Sequence, residues 1–188
     1  NYVNWHATSL AEKNDILNLF PRSQVYIIPN GIDLDSFSNV TILKKDDYME
    51  SYIGKKIYPS KIIVSMGRLH KVKGFDILIK AFLEVIKTNA KAVLLIAGID
   101  VGEKEKLQSL VQLFALENSV FFVGEVSGQA KIDFLAYADL FVLPSHTENF
   151  GNVYVESLAA GTPIVASKGT PWEEVENANC GKWVENTV

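Results

Sequence analysis

The amino-acid sequence predicts an α/β domain in which a parallel sheet carries helices on both faces. Apolar, β-rich segments alternate along the chain with segments of helical periodicity. The β-rich segments are nearly continuous runs of Val, Ile, Leu and Phe, which is typical of strands covered on both faces. The chain has 188 residues, 48% of them hydrophobic, so it is long enough to bury one such core.

The predicted elements begin with a strand at 61–67, KIIVSMG, and an amphipathic helix at 74–88, GFDILIKAFLEVIKT. The same alternation then continues to the end of the chain. Further strands are predicted at 91–98, 119–124, 139–144 and 162–167. Further helices are predicted at 103–117, 128–138 and 152–161, the last of them ended by Gly161 as a C′ residue.

The first part of the chain breaks this alternation. A helix near 9–20 and a strand at 24–29 lead into a turn-rich Asn-Gly segment, and the charged stretch 44–59 predicts a surface helix. We therefore expect a domain boundary near residues 29–40. The first residue is not Met and no capping element ends the sequence, so we interpret it as a piece of a longer protein.

Composition argues against several classes of protein. The net charge of −4 disfavours a nucleic-acid-binding protein, which would carry a basic face. No apolar run approaches the roughly 18 to 20 residues that span a bilayer, and the first residues do not have the pattern of a signal peptide. Cys180 is the single cysteine, which excludes a disulfide framework within this chain and fits a reducing, cytoplasmic setting.

Ligands of an open parallel sheet bind at the loops that follow the carboxyl ends of the strands. The loop at 67–74 contains Arg68 and Lys73, which together suit a diphosphate, although a solvated basic loop is the alternative. Gly98 and Gly124 begin the loops after the second and third strands. Each of these glycines permits either a close approach of the backbone to a ligand or a simple turn.

Two glutamates flank the start of a helix after the fourth strand, in SHTENFGNVYVE. Glu148 is either a carboxylate stabilised by the helix dipole or an acceptor for ligand hydroxyls. Glu156 lies about a turn and a half into the helix, next to Val155, Leu158 and Ala159, which we expect to be buried. A carboxylate in such surroundings needs a partner, and a vicinal diol would supply two O–H donors.

Other polar groups have simpler interpretations. Asp33 and Asp35 match a D-x-D metal pattern, but a turn with a helix N-cap is favoured. His146 and His70 are expected to be exposed rather than to act as bases. The sequence contains no G-x-G-x-x-G motif, P-loop or G-x-S-x-G motif.

Five segments in order resemble the C-terminal half of glycosyltransferase family 4 enzymes of the GT-B type. They are IPNGIDLDSF, SMGRLHKVKGFDILIKAF, FVGEVS, ADLFVLPSHTENFGNVYVESLAAGTPIVAS and GTPWEEV. Glu148 to Glu156 match the E-x7-E motif of that family, and Arg68 with Lys73 match its phosphate-binding pair. The segment KGTPWEEVENANCGKWV departs from the commoner Gly-Gly-x-Pro-Glu pattern and resembles versions in bacterial surface-polysaccharide enzymes.

The resemblance implies both a domain organisation and a reaction. Residues 39–188 would form a Rossmann-like nucleotide-sugar-binding domain, one half of a GT-B fold, and residues 1–38 a remnant of the N-terminal acceptor domain plus linker. The reaction would transfer a sugar from a UDP-, GDP- or ADP-sugar to a hydroxyl of an acceptor glycan or lipid-linked sugar. The anomeric configuration would be retained, without a metal or other cofactor. The full-length protein would be cytoplasmic or peripheral at the inner membrane face, and the fragment alone inactive.

The family also implies a role for each matching residue. Arg68 and Lys73 would stabilise the leaving diphosphate, Glu148 would bind hydroxyls of the donor sugar, and Glu156 would bind the ribose diol. Glu148, Arg68 and Lys73 are thus the expected catalytic residues. The expected donor-binding residues are Gly67, Arg68, Lys73, Gly98, Gly124, Val126, Glu148, Asn149, Phe150, Gly151, Asn152, Val153 and Glu156.

Two other functions fit the same residues. One is a nucleotide-binding module without catalysis, and the other is a nucleotide-sugar epimerase of the same architecture. Activity towards acceptors separates the first from a transferase, and product analysis with the donor alone separates the second.

Overall fold

The computed structural model describes residues 3–40 and 44–188 as strands, helices and connecting loops. The strands are β1 Asn4–Ala7, β2 Gln24–Ile27, β3 Lys61–Met66, β4 Ala92–Ala97, β5 Val120–Gly124, β6 Leu140–Leu143, β7 Ile164–Ser167 and β8 Gly181–Val184. The α-helices are α1 Leu10–Leu19, α2 Lys45–Ile53, α3 Phe75–Thr88, α4 Lys104–Leu113, α5 Gly128–Ala136, α6 Asn152–Ala159 and α7 Glu174–Asn177. Short 3-10 segments lie at Leu34–Phe37 and Lys71–Lys73.

The main sheet has the strand order β5-β4-β3-β6-β7-β8, and every pair in it is parallel. The chain starts at β3 in the middle, moves outward to β5, returns to β6 beside β3 and then moves outward the other way. Right-handed crossovers on the two sides of this reversal place their helices on opposite faces. In agreement, α3 contacts α4 and α5 contacts α6. The predicted fold class is confirmed.

The core of the main sheet explains the apolar runs in the sequence. All six residues of β4 are buried, so this strand is covered on both faces. The helix α3 buries Phe75, Leu78, Ile79 and Phe82, which follow the spacing of one helical face. Gly161 has the left-handed φ of +83° expected of the C′ residue after α6.

Helix α2 differs from the predicted surface helix, because one of its faces belongs to the core. Tyr48 and Met49 are both fully buried. The Tyr48 hydroxyl donates a hydrogen bond to the carbonyl oxygen of Phe134 at 3.0 Å, and its ring stacks on Tyr137. Burial raises the pKa of the Tyr48 phenol above its ordinary value. The charged Glu50 of α2 is exposed, and the charged composition of the segment predicted only this outer face, not the inner one.

The strands β1 and β2 form a second, smaller sheet and are parallel. Helix α1 connects them and packs against both. Helix α1 begins with a variant of the capping box: the Ser9 hydroxyl accepts a bond from Glu12 N at 3.2 Å, while Glu12 Oε2 accepts one at 2.6 Å from the N–H of Thr8, the residue before the cap. Sequence patterns predicted α1 and β2 but not β1 or β8. Within residues 3–40 and 44–188, no helix is both long and apolar enough to cross a bilayer.

The substitution Met49→Ala tests the core position of α2. We expect it to lower the free energy of unfolding by about 2 to 5 kcal/mol, because a fully buried methionine leaves a cavity. Its neighbour Glu50 is exposed, so Glu50→Ala should stay within about 0.5 kcal/mol of the parent. Urea unfolding of the three proteins measures both values, and equal effects would contradict the inner face of α2.

Candidate functional site

A cleft of about 720 Å³ lies at the point where the strand order reverses, outside the carboxyl ends of β3 and β6. Open α/β sheets bind their ligands at this position. Most of the predicted site residues line the cleft: Gly67, Arg68, Lys73, Glu148, Asn149, Phe150, Gly151, Asn152, Val153 and Glu156. The remainder of the lining includes three residues from the first forty, namely Thr8, Glu12 and Asn30.

The loop after β3 contributes two cations in different environments. Arg68 is exposed, and no partner for its guanidinium is found among residues 3–40 and 44–188. Lys73 ends the 3-10 segment, and its side chain is only 16% exposed. The aliphatic part of Lys73 lies over Gly67, where an added Cβ would be 3.5 Å from both Cδ and Cε. One cation is therefore open to solvent and the other is packed into the cleft wall.

The buried end of Lys73 forms an ion pair with Glu148 Oε1. The same oxygen accepts a hydrogen bond from the Ser145 hydroxyl at 2.8 Å, and Ser145 is itself fully buried. The backbone N–H of Glu148 donates to the carbonyl oxygen of Gly169 at 3.2 Å. The Glu148 side chain is 13% exposed. Its position is thus fixed by the backbone, by a hydroxyl and by a charge.

The turn into α6 depends on a glycine packed against an aromatic ring. Gly151 has φ of +79°, and a Cβ on it would lie 2.6 Å from Cδ2 of Tyr154. Tyr154 is buried and donates to the carbonyl oxygen of Leu143 at 2.7 Å. Burial, and then the negative charge of Glu148, raise the pKa of the Tyr154 phenol. The ring therefore forms a rigid floor under the helix start.

The preceding residue, Phe150, is held by Trp172. The indole N–H of Trp172 donates to the carbonyl oxygen of Phe150 at 2.6 Å, and the two ring centroids are 5.4 Å apart. The first N–H groups of a helix have no partner within it and attract anions. Asn152 and Val153 open α6 at the cleft wall. This end of the cleft therefore suits a phosphate.

The partner that Glu156 required is Lys131 of α5, a pairing that was not predicted from the sequence. Lys131 Nζ lies 2.8 Å from Glu156 Oε1, with side-chain exposures of 29% and 18%. The local signal was weak: Lys131 stands next to the buried Ile132, but α5 also contains the polar residues Gln129 and Asp133. Pairing across two helices leaves no sequence pattern.

The burial expected around Glu156 was partly wrong. Val155, Leu158 and Ala159 are only partly buried, whereas Tyr154 and Ser157 are the residues of α6 that are fully buried. The buried face of α6 is therefore rotated by about one position from the one expected. Glu156 still lines the cleft, at the edge of that face.

Residues of the N-terminal segment contact the cleft directly. Asn149 Nδ2 donates to Glu12 Oε1 at 2.9 Å, and Asn30 Nδ2 donates to Asn152 Oδ1 at 2.8 Å. Hydrogen bonds from the side chain and backbone of Thr8 lower the pKa of the Glu12 carboxyl. The side chain of Asn149 is therefore engaged with α1, a contact that sequence alone did not reveal. The capping-box spacing was the available signal for Glu12.

Gly98, Gly124 and Val126 do not line the cleft. Gly98 is needed for close packing, because an added Cβ would lie 1.8 Å from the carbonyl oxygen of Gly67. Its N–H donates to the carbonyl oxygen of Gly124 at 2.7 Å. Contact between a ligand and any of these three residues stays a prediction.

Hydrogen bonds confirm the turn and helix N-cap that were predicted for Asp33 and Asp35. Asp33 Oδ1 accepts a bond from Asp35 N at 3.1 Å and caps the 3-10 segment that follows. His146 and His70 are exposed, as expected, and neither lines the cleft. The described part of the chain holds no cluster of three or more His, Cys, Asp or Glu side chains suited to a metal.

The family model for glycosyl transferases group 1 matches residues 53–187, which include both cleft loops and α6. The chain belongs to this family. An uncharacterized glycosyltransferase of Methanocaldococcus jannaschii is 33% identical over 177 residues, covering 92% of this chain and 44% of that protein. The mannosylfructose-phosphate synthase of Agrobacterium fabrum is 32% identical over 154 residues, covering 78% of this chain and 33% of the synthase.

Solved structures agree on the fold. The Anabaena protein HepE, in complex with UDP and glucose, matches with a TM-score of 0.81 and 23% identity, over 97% of this chain and 49% of that one. The chain therefore spans about half the length of the HepE chain, and less than half of the two curated relatives. The E-x7-E segment and the Arg–Lys loop of this chain both lie within residues 53–187, which the family model matches.

The contact between Gly151 and Tyr154 predicts a graded effect of alanine substitution. Gly151→Ala should lower the free energy of unfolding by about 2 to 4 kcal/mol, because it adds a clash to the roughly 1 to 2 kcal/mol cost of a left-handed backbone. Gly161 is a matched control, since its φ is +83° but nothing lies within 4 Å of an added Cβ. Gly161→Ala should show the backbone cost alone.

Denaturant unfolding of both variants measures the difference. Equal losses of stability would mean that Tyr154 moves away without cost and is not a rigid floor.

Proposed function

We propose that this chain is the donor-binding part of a family 4 glycosyltransferase of the GT-B type. The full-length enzyme transfers a sugar, with retained anomeric configuration and without a metal, from a nucleotide-diphosphate sugar to an acceptor hydroxyl. The observation that carries the proposal is the joint presence in one cleft of Arg68, Lys73, the start of α6 and the carboxylates of Glu148 and Glu156. A nucleotide sugar combines the matching groups: a diphosphate and two sets of hydroxyls.

The charges divide the cleft into regions of different chemistry. Arg68, Lys73 and the N-terminus of α6 form the positive region, which binds the diphosphate and stabilises the charge that grows on it as it leaves. Glu148 and Glu156 lie on either side of the helix start and accept hydrogen bonds from hydroxyls. Glu148 binds the donor sugar and Glu156 binds the ribose diol, as the family resemblance implies.

The first part of the chain then belongs to the acceptor side. In this proposal residues 1–38 are the end of the acceptor-binding domain with its linker, and residues 39–188 form the donor domain. The contacts of Glu12 and Asn30 with the helix-start loop support this division, because they bring the two parts to one cleft. The acceptor is a glycan or lipid-linked sugar, and the pathway is bacterial surface-polysaccharide or glycoconjugate synthesis, in the cytoplasm or at the inner membrane face.

Calorimetric titration with UDP, GDP and ADP tests the donor site. We expect one of them to bind, and both Arg68→Ala and Glu156→Ala to weaken it by about 1.5 to 3 kcal/mol, the usual value of a hydrogen bond to a charged group. Lys87→Ala is the control, since Lys87 is exposed at the end of α3 and outside the cleft. Binding that is unaffected by both cleft substitutions would contradict the site.

Transfer by the full-length enzyme tests the role of Glu148. We expect Glu148→Gln to lower turnover by about 100-fold or more, because a preorganised charged contact to the reacting sugar is lost. Glu84→Gln, on the exposed side of α3, should leave turnover unchanged. Near-normal transfer by Glu148→Gln would refute the assignment, and analysis of the products with donor alone would detect an epimerase instead.

A further inference from the structure

Lys73 and Glu148 pair with each other in the structure, although the proposed donor requires each of them separately. In the proposed function, Lys73 binds the diphosphate and Glu148 binds the donor sugar. In the structure the two side chains form an ion pair, and each is less than one fifth exposed. Diphosphate binding therefore exchanges the partner of Lys73 rather than filling an open cation site.

This exchange has an energetic consequence for Glu148. A carboxylate that is 13% exposed has little access to water, so removal of its cation leaves a charge that is poorly compensated. The Ser145 hydroxyl, at 2.8 Å, keeps one hydrogen bond to Oε1 after the lysine has moved. That bond fixes the direction of the carboxylate but does not neutralise it. A second set of donors has to arrive with the ligand.

Hydroxyl groups of a sugar are suitable donors, whereas a nucleoside diphosphate without its sugar has none at this position. A nucleotide sugar replaces the contact that Glu148 loses, and the nucleoside diphosphate does not. We propose that Glu148 thereby distinguishes nucleotide sugar from nucleoside diphosphate: the Lys73–Glu148 pair opposes binding of the diphosphate unless a sugar is attached. The inference rests on the proposed function and deepens it. It also implies that re-formation of the pair favours release of the spent nucleotide.

The other carboxylate of the cleft shows why this effect is specific to Glu148. Glu156 also has a lysine partner, Lys131, at 2.8 Å. Lys131 comes from α5 and does not line the cleft, so it is not exchanged when the diphosphate binds. Loss of the Glu156 carboxylate removes a ligand contact without releasing a phosphate-binding cation.

Binding titrations of three proteins test the inference. The probes are UDP with UDP-glucose, GDP with GDP-mannose and ADP with ADP-glucose, and the proteins are the parent chain, Glu148→Gln and Glu156→Gln. For whichever of the three nucleotides binds, we expect Glu148→Gln to bind the nucleoside diphosphate about tenfold more tightly than the parent does, because Lys73 is released from its ion pair with residue 148. The preference for nucleotide sugar over nucleoside diphosphate should fall by about the same factor or more.

The Glu156→Gln variant controls for charge, since it removes one negative charge from the same cleft. We expect it to weaken binding of the nucleoside diphosphate and of the nucleotide sugar about equally, and so to leave the preference for the nucleotide sugar unchanged. Thermal unfolding confirms that each variant is folded, and if Glu148→Gln is not, Glu148→Ala gives the same readout.

The outcomes separate the inference from the proposed function. Nucleoside diphosphate binding that is equal or weaker in Glu148→Gln overturns the inference and leaves the donor site in place. A similar gain in Glu156→Gln also overturns it, because the effect would then be general electrostatics. Failure of all six probes to bind the parent chain overturns the proposed function itself.

Discussion

The pairing of β3 with β6 is the contact on which the site depends. These strands are far apart in sequence, yet Ile63 lies opposite Leu140 and Val64 opposite Phe141 in parallel register. Asp139, just before β6, accepts a hydrogen bond from the backbone N–H of Ile62 at 2.8 Å and so fixes the register at its beginning. Because both strands end at the same edge, the basic loop and the helix start that follow them form two walls of one cleft.

The electrostatics of that cleft follow from burial. The side chains of Glu148 and Glu156 are both mostly buried, and each forms an ion pair with a lysine. Carboxylates in such positions require compensation, and the two lysines supply it without a ligand. They differ in origin: Lys73 comes from the loop that also contains Arg68, and Lys131 comes from a neighbouring helix. Arg68 is exposed, whereas Lys73 is mostly buried in its ion pair.

Local patterns in the sequence predicted most of the fold. The helical period of α3 and the continuous apolar run of β4 were sufficient because both elements are long and bury a regular face. The strands β1 and β8 were missed because their residues, NWHA and GKWV, form no continuous apolar run, unlike the equally short β6 and β7. Helix α2 was misjudged because its charged residues outnumber Tyr48 and Met49, which face the core.

The sequence by itself determined the class of the fold, the family and the motif residues of the cleft, because those signals lie within single loops and helices. Only the tertiary structure decided which charges meet. The pairs Lys73–Glu148 and Lys131–Glu156, and the contact of Asn149 with Glu12, join residues that are 25 to 137 positions apart. Their partners are chosen by strand order and helix packing, which no local spacing encodes. For that physical reason the sequence predicted which residues contact the ligand, whereas the structure shows that two of those residues, Lys73 and Glu148, already form an ion pair with each other.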